Sequence, residues 1–363
     1  MPHLLGGVSR LRASCGGCAP TPRGVTVAAP VLRDGAQQLR DSYGRRVKDL
    51  RISVTDKCNF RCTYCMPEEG LAWLPAAELL SFEEISRIAR VCAERYGFEA
   101  FRLTGGEPLL RPRLAELVAS MARLGVDVAL TTNGTGLARQ AAPLAAAGLS
   151  RVNISCDSLR ADRFEEMTRR DELHKVLAGL DAALAAGLLP LKVNVVVMRG
   201  VNDDEVVDFA RLGRERGIDI RFIEFMPLDA DGSWTPDAVV PSAEIVEAID
   251  AVFPLRRSHP EGDPAPAHVW SYEDGAGTIG VIPSVTEPFC GDCDRVRLTA
   301  DGQLRTCLFS LDETDLRGLM RGGGTDDELA SAIAGAVAGK WEGHRIGQVS
   351  FKRPRRSMSQ IGG

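Results

Sequence analysis

Residues 50–67 have the sequence LRISVTDKCNFRCTYCMP, and this stretch decides the fold. Its first five residues alternate between apolar and polar, which is the period of a half-buried β-strand. Three cysteines with the spacing C-x3-C-x2-C follow directly after that strand: Cys58, Cys62 and Cys65. A strand that leads into a thiol cluster indicates an α/β protein with its chemistry at the carboxyl end of the strand.

Cys58, Cys62 and Cys65 are candidate ligands of an iron–sulfur cluster, because cysteine thiolates are the usual ligands of such clusters. Three ligands on a four-iron cluster leave one iron open, which is what a catalytic metal site needs. The alternatives are unrelated core cysteines and a structural zinc site. A structural zinc site requires four ligands, and no obvious fourth ligand lies nearby in the sequence.

The same alternation continues along the chain and predicts a parallel sheet with helical crossovers. Five more strands are predicted, at Ala100–Leu103, Val126–Leu130, Val152–Ile154, Leu191–Val197 and Ile218–Glu224. Helices are predicted between them, after a capping box at Ser81 and Glu84 and near 113–124, 137–147, 172–186 and 203–216. Right-handed crossovers would wrap six such strands into an open or closed barrel.

Residues suited to binding follow several of these strands. They are Thr104–Pro108 (TGGEP), Thr131–Gly134 (TTNG), Ser155 and Glu224–Pro227 (EFMP). The two glycines of TGGEP permit a close approach of the backbone to a ligand, and Glu107 is expected to shape that loop. Because chemistry gathers at the carboxyl ends of barrel strands, these segments and the cysteines are expected to form one site.

A second group of cysteines has the spacing C-x2-C-x13-C: Cys290, Cys293 and Cys307. It again offers three thiolates for an iron–sulfur cluster. Zinc is the competing interpretation, because C-x2-C pairs are common in zinc sites, and His259 or His268 would then be the fourth ligand. Arg295 and Arg297 follow Cys293 by two and four residues, so they share one face of a strand beside this group.

Composition limits the function classes. The chain has 363 residues and a net charge of −5, so no global basic field favours nucleic acid. No apolar run reaches the roughly 18 residues that a membrane span needs. We expect three regions: a disordered leader at 1–40, a barrel at 41–255 and a C-terminal region at 256–363. The leader carries Cys15 and Cys18, and residues 1–33 contain four arginines and no acidic residue, which leaves an organelle transit peptide as the alternative.

The strings CNFRCTYCMP and TGGEP resemble the cluster-binding and methionine-binding motifs of the radical S-adenosylmethionine superfamily. The string PFCGDCDRVRLTADGQLRTCL and the final Gly362-Gly363 resemble the molybdenum cofactor biosynthesis protein A family, from about residue 40 to 363. This resemblance implies an incomplete parallel (βα)6 TIM-type barrel, with a C-terminal extension that carries a second iron–sulfur cluster. It implies two 4Fe-4S clusters and S-adenosylmethionine as cofactors.

The resemblance also implies roles for individual residues. S-adenosylmethionine would be held by Tyr64, Gly106, Ser155 and Met226. GTP would be held by Arg51, Arg102, Thr131, Lys192, Arg295, Val296 and Arg297, of which Arg295 and Arg297 would be catalytic together with the first cysteines. Gly362 and Gly363 would enter the barrel and help to set substrate geometry.

The implied reaction is a radical cyclisation of GTP. A deoxyadenosyl radical takes hydrogen from C3′ of the ribose, and the carbon radical attacks C8 of the guanine. The implied partners are a reducing electron donor and cyclic pyranopterin monophosphate synthase, and we expect a cytoplasmic homodimer. Two other hypotheses stay open at this point: a peptide-modifying radical enzyme and a zinc-binding interaction protein without catalysis.

Overall fold

The computed structural model describes residues 37–229, 232, 234–258 and 266–362. Expectations for Cys15, Cys18, His259 and Gly363 therefore fall outside the described residues. Of the expected leader, only residues 37–40 are described. Leu39 is buried there, and its main-chain oxygen accepts a hydrogen bond from the Val47 N–H at 2.9 Å.

Twelve strands of the described residues form one sheet, in the order β12-β11-β10-β1-β2-β3-β4-β5-β6-β9-β8-β7. In chain order they are β1 (Asp49–Ser53), β2 (Ala100–Thr104), β3 (Asp127–Thr132), β4 (Arg151–Ser155), β5 (Lys192–Val197), β6 (Asp219–Glu224), β7 (Leu255–Arg257), β8 (His268–Tyr272), β9 (Thr278–Ile282), β10 (Arg295–Leu298), β11 (Gln303–Arg305) and β12 (Thr314–Asp315). The six strands predicted from the sequence are confirmed as β1–β6, with ends shifted by one or two residues.

The helices of the described residues are α1 (Phe82–Tyr96), α2 (Leu114–Ala122), α3 (Leu137–Ala146), α4 (Ala161–Thr168), α5 (Leu173–Ala185), α6 (Val206–Arg216), α7 (Ser242–Asp250), α8 (Leu316–Arg321), α9 (Asp326–Ala338) and α10 (Met358–Ile361). The predicted capping box is confirmed at the start of α1. The Glu84 N–H donates to Ser81 Oγ at 3.2 Å, and the Ser81 N–H donates to Glu84 Oε2 at 2.8 Å. This reciprocal pair satisfies two of the amide groups that a helix start leaves without a partner.

The C-terminal region extends the predicted barrel at both edges. β9 pairs in parallel with β6, and β10 pairs in parallel with β1, so eight strands run in the same direction. The strand expected to carry Arg295 and Arg297 is confirmed as β10, whereas β9 was not predicted, because it is short and follows β8 through a turn instead of a crossover helix. Antiparallel strands then cover each edge: β11 and β12 beside β10, and β8 and β7 beside β9.

The two faces of the parallel strands differ in polarity. On β1, Leu50 and Ile52 are fully buried and pack in the core between sheet and helices. The intervening residues Asp49, Arg51 and Ser53 point to the opposite face, because successive side chains of a strand alternate. The same alternation on the neighbouring strands gives the concave face of the barrel a charged and polar lining.

None of the helices in the described part of the chain is both long enough and apolar enough to cross a membrane.

Candidate active site

The first cysteine group lies in the loop that follows β1. The N–H groups of Cys65 and Met66 both donate to the Cys62 oxygen, at 2.9 and 3.0 Å, and fold the loop into a tight turn. Burial raises the pKa of Cys58 to about 11 and that of Cys65 to about 12, and it also raises the pKa of Cys62. Three thiols that interact with one another in a half-buried loop fit a metal cluster, because bound metal displaces their protons.

No group of three or more His, Cys, Asp or Glu side chains in the described residues is arranged to hold a single metal ion. An iron–sulfur cluster takes its thiolates at separate irons, so its ligands need not meet at one point.

The TGGEP loop packs directly against the loop that carries the first cysteines. The Gly106 N–H donates to the Thr55 oxygen at 2.9 Å, and the Glu107 N–H donates to the Lys57 oxygen at 2.7 Å. A Cβ on Gly105 or Gly106 would collide with these main-chain oxygens. The glycines are therefore required for the contact between two loops, whereas the sequence had suggested an approach to a ligand.

Glu107 shapes the loop as expected. Its carboxylate is buried and accepts hydrogen bonds from the Leu109 N–H at 2.9 Å, from Thr132 Oγ1 at 2.7 Å and from the Asn133 N–H at 2.7 Å. These contacts tie the end of β2 to the end of β3. Burial raises the pKa of Glu107 to about 7, although the hydrogen bonds oppose this rise.

The expected S-adenosylmethionine residues lie at four neighbouring places. Tyr64 belongs to the cysteine loop, and its hydroxyl donates to Asp157 Oδ2 at 2.5 Å. Gly106 follows β2, Ser155 ends β4 and Met226 follows β6; all three are half-buried. These residues thus lie at or just beyond the carboxyl ends of β1, β2, β4 and β6, at one end of the barrel.

The expected GTP residues bring several cations onto the concave face. Arg51 is paired in register with Arg102 on one side and with Arg297 on the other. Thr131 is paired with Asn153, which in turn is paired with Lys192. Arg295 stands beside Asp49 on the same face.

Val296 is the exception among these residues. Its side chain is fully buried in the core between sheet and helices. Only its main chain is therefore positioned to contact a ligand inside the barrel.

The electrostatics of this face are those of an anion site. Burial and the charges of Arg297 and Arg102 lower the pKa of Arg51 well below its ordinary value. Burial and the charge of Arg295 lower the pKa of Arg297 to about 10, and burial and the charge of Arg221 lower the pKa of Lys192 to about 8. Cations that destabilise one another in this way are stabilised by a bound polyanion.

The second cysteine group lies at the amino end of β10 and after β11. Cys290 lies in a single-turn 3-10 helix, Phe289–Asp292, and the Cys293 N–H donates to the Cys290 oxygen at 3.3 Å. The charges of Cys293 and Cys307 each help to raise the pKa of Cys290, so the three thiols lie close to one another. His268, one of the two candidate zinc ligands, instead lies 4.0 Å from Glu287.

Arg45 supports the loop of the second group from outside the barrel. Its Nε forms a buried ion pair with Asp41 at 2.6 Å. Its Nη1 donates to the main-chain oxygens of Cys290 and Glu342, each at 2.6 Å. The guanidinium thus joins the cysteine loop to the segment that follows α9.

The C-terminal tail returns to the mouth of the barrel. Arg353 pairs with Asp229 at 3.1 Å, and Arg356 pairs with Asp301 at 2.9 Å, so two ion pairs hold the tail before α10. The main-chain N–H of Ser359 then lies near the Cys65 thiol and opposes the rise of its pKa. The tail therefore contacts the first cysteine group.

Comparison with known proteins identifies the family. The chain is 48% identical to the GTP 3′,8-cyclase of Corynebacterium glutamicum over 341 residues, which cover 91% of this chain and 90% of that one. It is 49% identical to the GTP 3′,8-cyclase of Streptomyces coelicolor over 334 residues, with 91% and 98% coverage. The chain belongs to the GTP 3′,8-cyclase family. The resemblance inferred from the two cysteine motifs is thereby confirmed.

Two family models match successive parts of the chain. The radical SAM superfamily matches residues 52–213, and Molybdenum Cofactor Synthesis C matches residues 218–346. The crystal structure of SuiB from Streptococcus suis has the same fold, with a TM-score of 0.56 at 11% identity. That similarity covers 73% of this chain and 62% of SuiB. The predicted radical SAM barrel is confirmed, and the peptide-modifying and zinc-binding hypotheses are set aside for this cyclase family member.

Sequence reasoning missed several residues of the concave face. Arg221 lies on β6, is buried and pairs with Asp219 at 3.2 Å. A Cβ on Gly280 of β9 would collide with its side chain, so the neighbouring strand leaves room for this arginine. Arg151 pairs with Asp127 on the adjacent strand. Both arginines alternate with apolar residues in strands that were predicted, and that alternation was the available signal.

Proposed function

We propose that this chain converts GTP to (8S)-3′,8-cyclo-7,8-dihydroguanosine 5′-triphosphate, the first step of molybdenum cofactor biosynthesis. The enzyme is a radical S-adenosylmethionine lyase of the cyclase family. The observation that carries the substrate assignment is the set of cations on the concave face between the two cysteine groups. Arg51, Lys192 and Arg297 all have lowered pKa values there, as is expected of a site built for a triphosphate.

The first cysteine group would hold the catalytic iron–sulfur cluster. Cys58, Cys62 and Cys65 would supply three ligands, which would leave one iron open to S-adenosylmethionine. When bound, the cluster and S-adenosylmethionine together supply the 5′-deoxyadenosyl radical. The family assignment supports this cofactor and one such cluster.

The residues at the strand ends would orient the cofactor. Tyr64 is fixed by its hydrogen bond to Asp157, whose second oxygen accepts from the Val196 N–H at 2.8 Å. Gly106 presents main-chain groups beside the cysteine loop, and Ser155 and Met226 lie across the barrel mouth. The protein's contribution here is to bind and orient the groups, because the radical chemistry belongs to the cofactor.

The cationic face would hold the triphosphate and place the ribose toward the cofactor. Arginine suits phosphate, because its planar guanidinium donates two parallel hydrogen bonds and stays charged. Arg295 is stacked over the Phe289 ring at 4.5 Å, which fixes its guanidinium beside the second cysteine group. Thr131 adds a hydroxyl from β3.

The second cysteine group would hold the second 4Fe-4S cluster, with Cys290, Cys293 and Cys307 as ligands. Burial opposes ionisation of Cys293, but the charges of Lys340 and Arg295 outweigh it and lower its pKa to about 7. A thiolate favoured in this way suits metal ligation. In the arrangement implied by the family, the guanine base faces this cluster.

Further assignments follow from the family resemblance. They are a reducing electron donor, cyclic pyranopterin monophosphate synthase as the next enzyme, a homodimeric state and the cytoplasm. The eight described cysteines are all free, which suits a reducing compartment.

The decisive experiment is an anaerobic incubation of the reconstituted chain with S-adenosylmethionine, GTP and a chemical reductant. We expect 5′-deoxyadenosine and the cyclised nucleotide, identified by mass spectrometry and NMR. Parallel reactions without S-adenosylmethionine, or with a Cys58→Ala protein, serve as controls. Turnover of the cofactor without any cyclised nucleotide in the complete reaction would contradict the proposed substrate.

A further inference from the structure

Residues 340–344 (KWEGH), which follow α9, pass over the second cysteine group. The Lys340 Nζ lies 3.4 Å from Cys293 Sγ and donates a second hydrogen bond to the Arg295 oxygen at 2.6 Å. A Cβ on Gly343 would lie 2.8 Å from the Cys290 Cβ and 3.2 Å from its sulfur. The segment is therefore in direct contact with two of the three thiols.

Lys340 is an unusual residue to find at this position. It is 3% exposed, and within the described part of the chain its ammonium donates hydrogen bonds to a sulfur and to a main-chain oxygen, neither of which belongs to a carboxylate. A buried ammonium without a negative partner is unfavourable, so packing alone would favour an apolar side chain here. The group that faces this ammonium is the Cys293 sulfur, 3.4 Å from Nζ.

We propose that Lys340 is a positioning residue for the second site, and that its N–H···S hydrogen bond to Cys293 raises the reduction potential of the cluster held there. This inference rests on the proposed second cluster. Hydrogen bonds and positive charge at the ligand sulfurs favour the reduced state of a cluster, because reduction adds negative charge. The hydrogen bond to Arg295 ties the same ammonium to the strand that carries the substrate arginines.

The test uses the full chain with Cys58, Cys62 and Cys65 changed to Ser, so that only the second group can hold iron. The protein is reconstituted anaerobically and titrated with reductant while the EPR signal is followed. For Lys340→Met we expect unchanged iron content and a reduction equilibrium shifted about tenfold toward the oxidised form, which is about 59 mV for one electron. Lys340→Gln keeps a donor without the charge, and its potential should lie between those of the other two proteins.

Lys175→Met is the matched control. Lys175 lies on the outer helix α5, is exposed and pairs with Glu172 at 2.7 Å, so its loss should leave the potential unchanged. An unchanged potential in Lys340→Met, with iron still bound, overturns the role of Lys340 and leaves the second cluster standing. Absence of iron when Lys340 is intact overturns the second cluster, and the role of Lys340 with it. If Lys340→Met does not fold, as judged by circular dichroism, Lys340→Gln decides by the same criterion.

Discussion

Arg297 donates a hydrogen bond to the main-chain oxygen of Gly362. The arginine lies on β10 beside the second cysteine group, and the glycine follows α10, which contacts the first group through Ser359. Gly362 has a φ of 83°, and a Cβ there would collide with Ser53 and lie 3.0 Å from Thr104 Cγ2. Gly362 thus lies against β1 and β2, where only a glycine fits, and is hydrogen-bonded to an expected substrate arginine.

Deletion of Gly362 and Gly363 should leave iron content unchanged and reduce the cyclised product steeply. The cysteines keep their ligand positions, whereas Arg297 loses its main-chain partner and radical transfer requires near-contact geometry. Gly362→Ala should also reduce the product, because the backbone of Gly362 is left-handed and an added Cβ would collide with Ser53. Iron content, S-adenosylmethionine cleavage and product are measured together.

Gly335→Ala is the control for that substitution. Gly335 lies within α9, and apart from its chain neighbours and the backbone of its own helix no atom lies within 4 Å of the position its Cβ would take. The change should therefore be neutral or slightly stabilising. Wild-type product yield from the truncated chain would show that the tail is dispensable.

Replacement of Cys58, Cys62 or Cys65 by Ala should remove about half of the iron and abolish cleavage of S-adenosylmethionine. The reason is that each proposed cluster takes three thiolates from its own loop. Cys92→Ala is the control, because Cys92 is buried in α1 among apolar residues and its change should leave iron content unaffected. A protein without all three loop cysteines that still cleaves S-adenosylmethionine would refute the catalytic assignment.

Replacement of Cys290, Cys293 or Cys307 by Ala should abolish cyclisation and weaken GTP binding. Uncoupled cleavage of S-adenosylmethionine should persist, because the first cysteine group is intact. Visible absorption distinguishes the competing interpretations of this group, since an iron–sulfur cluster is brown and zinc is colourless. Undiminished cyclisation in these variants would mean that the second group is not part of the site.

The sequence predicted the parts of this site that depend on short-range pattern. The alternation in β1–β6 was enough to place the first cysteine group and TGGEP at the carboxyl ends of strands. Such a placement follows from the period of a strand and from parallel connections alone. The capping box at Ser81 was predictable for the same reason.

Other features depend on contacts between segments far apart in sequence. β9 and β10 join opposite edges of the sheet, and nothing local to either strand specifies its neighbour. Lys340 reaches Cys293 across 47 residues, and a lone lysine after a helix predicts only a solvated charge. The need for Gly105 became visible only with the Thr55 oxygen against it.

The pH dependence of GTP binding should report on Lys192. Burial and the charge of Arg221 lower the pKa of Lys192 to about 8, from an ordinary value of 10.5. The ammonium is therefore charged below about pH 8 and becomes neutral above it, so GTP affinity should fall as the pH rises through this range. A charged hydrogen bond is worth roughly 1.5–3 kcal/mol, so the loss should be about tenfold or more once the amine is neutral. Isothermal titration of GTP into the protein, without reductant, measures this affinity at successive pH values.

Lys192→Arg is the matched control, because a guanidinium stays charged throughout. Any titration of GTP itself appears equally in both proteins, and only the additional fall in wild type belongs to Lys192. Parallel pH profiles for wild type and Lys192→Arg would show that Lys192 does not contact the triphosphate.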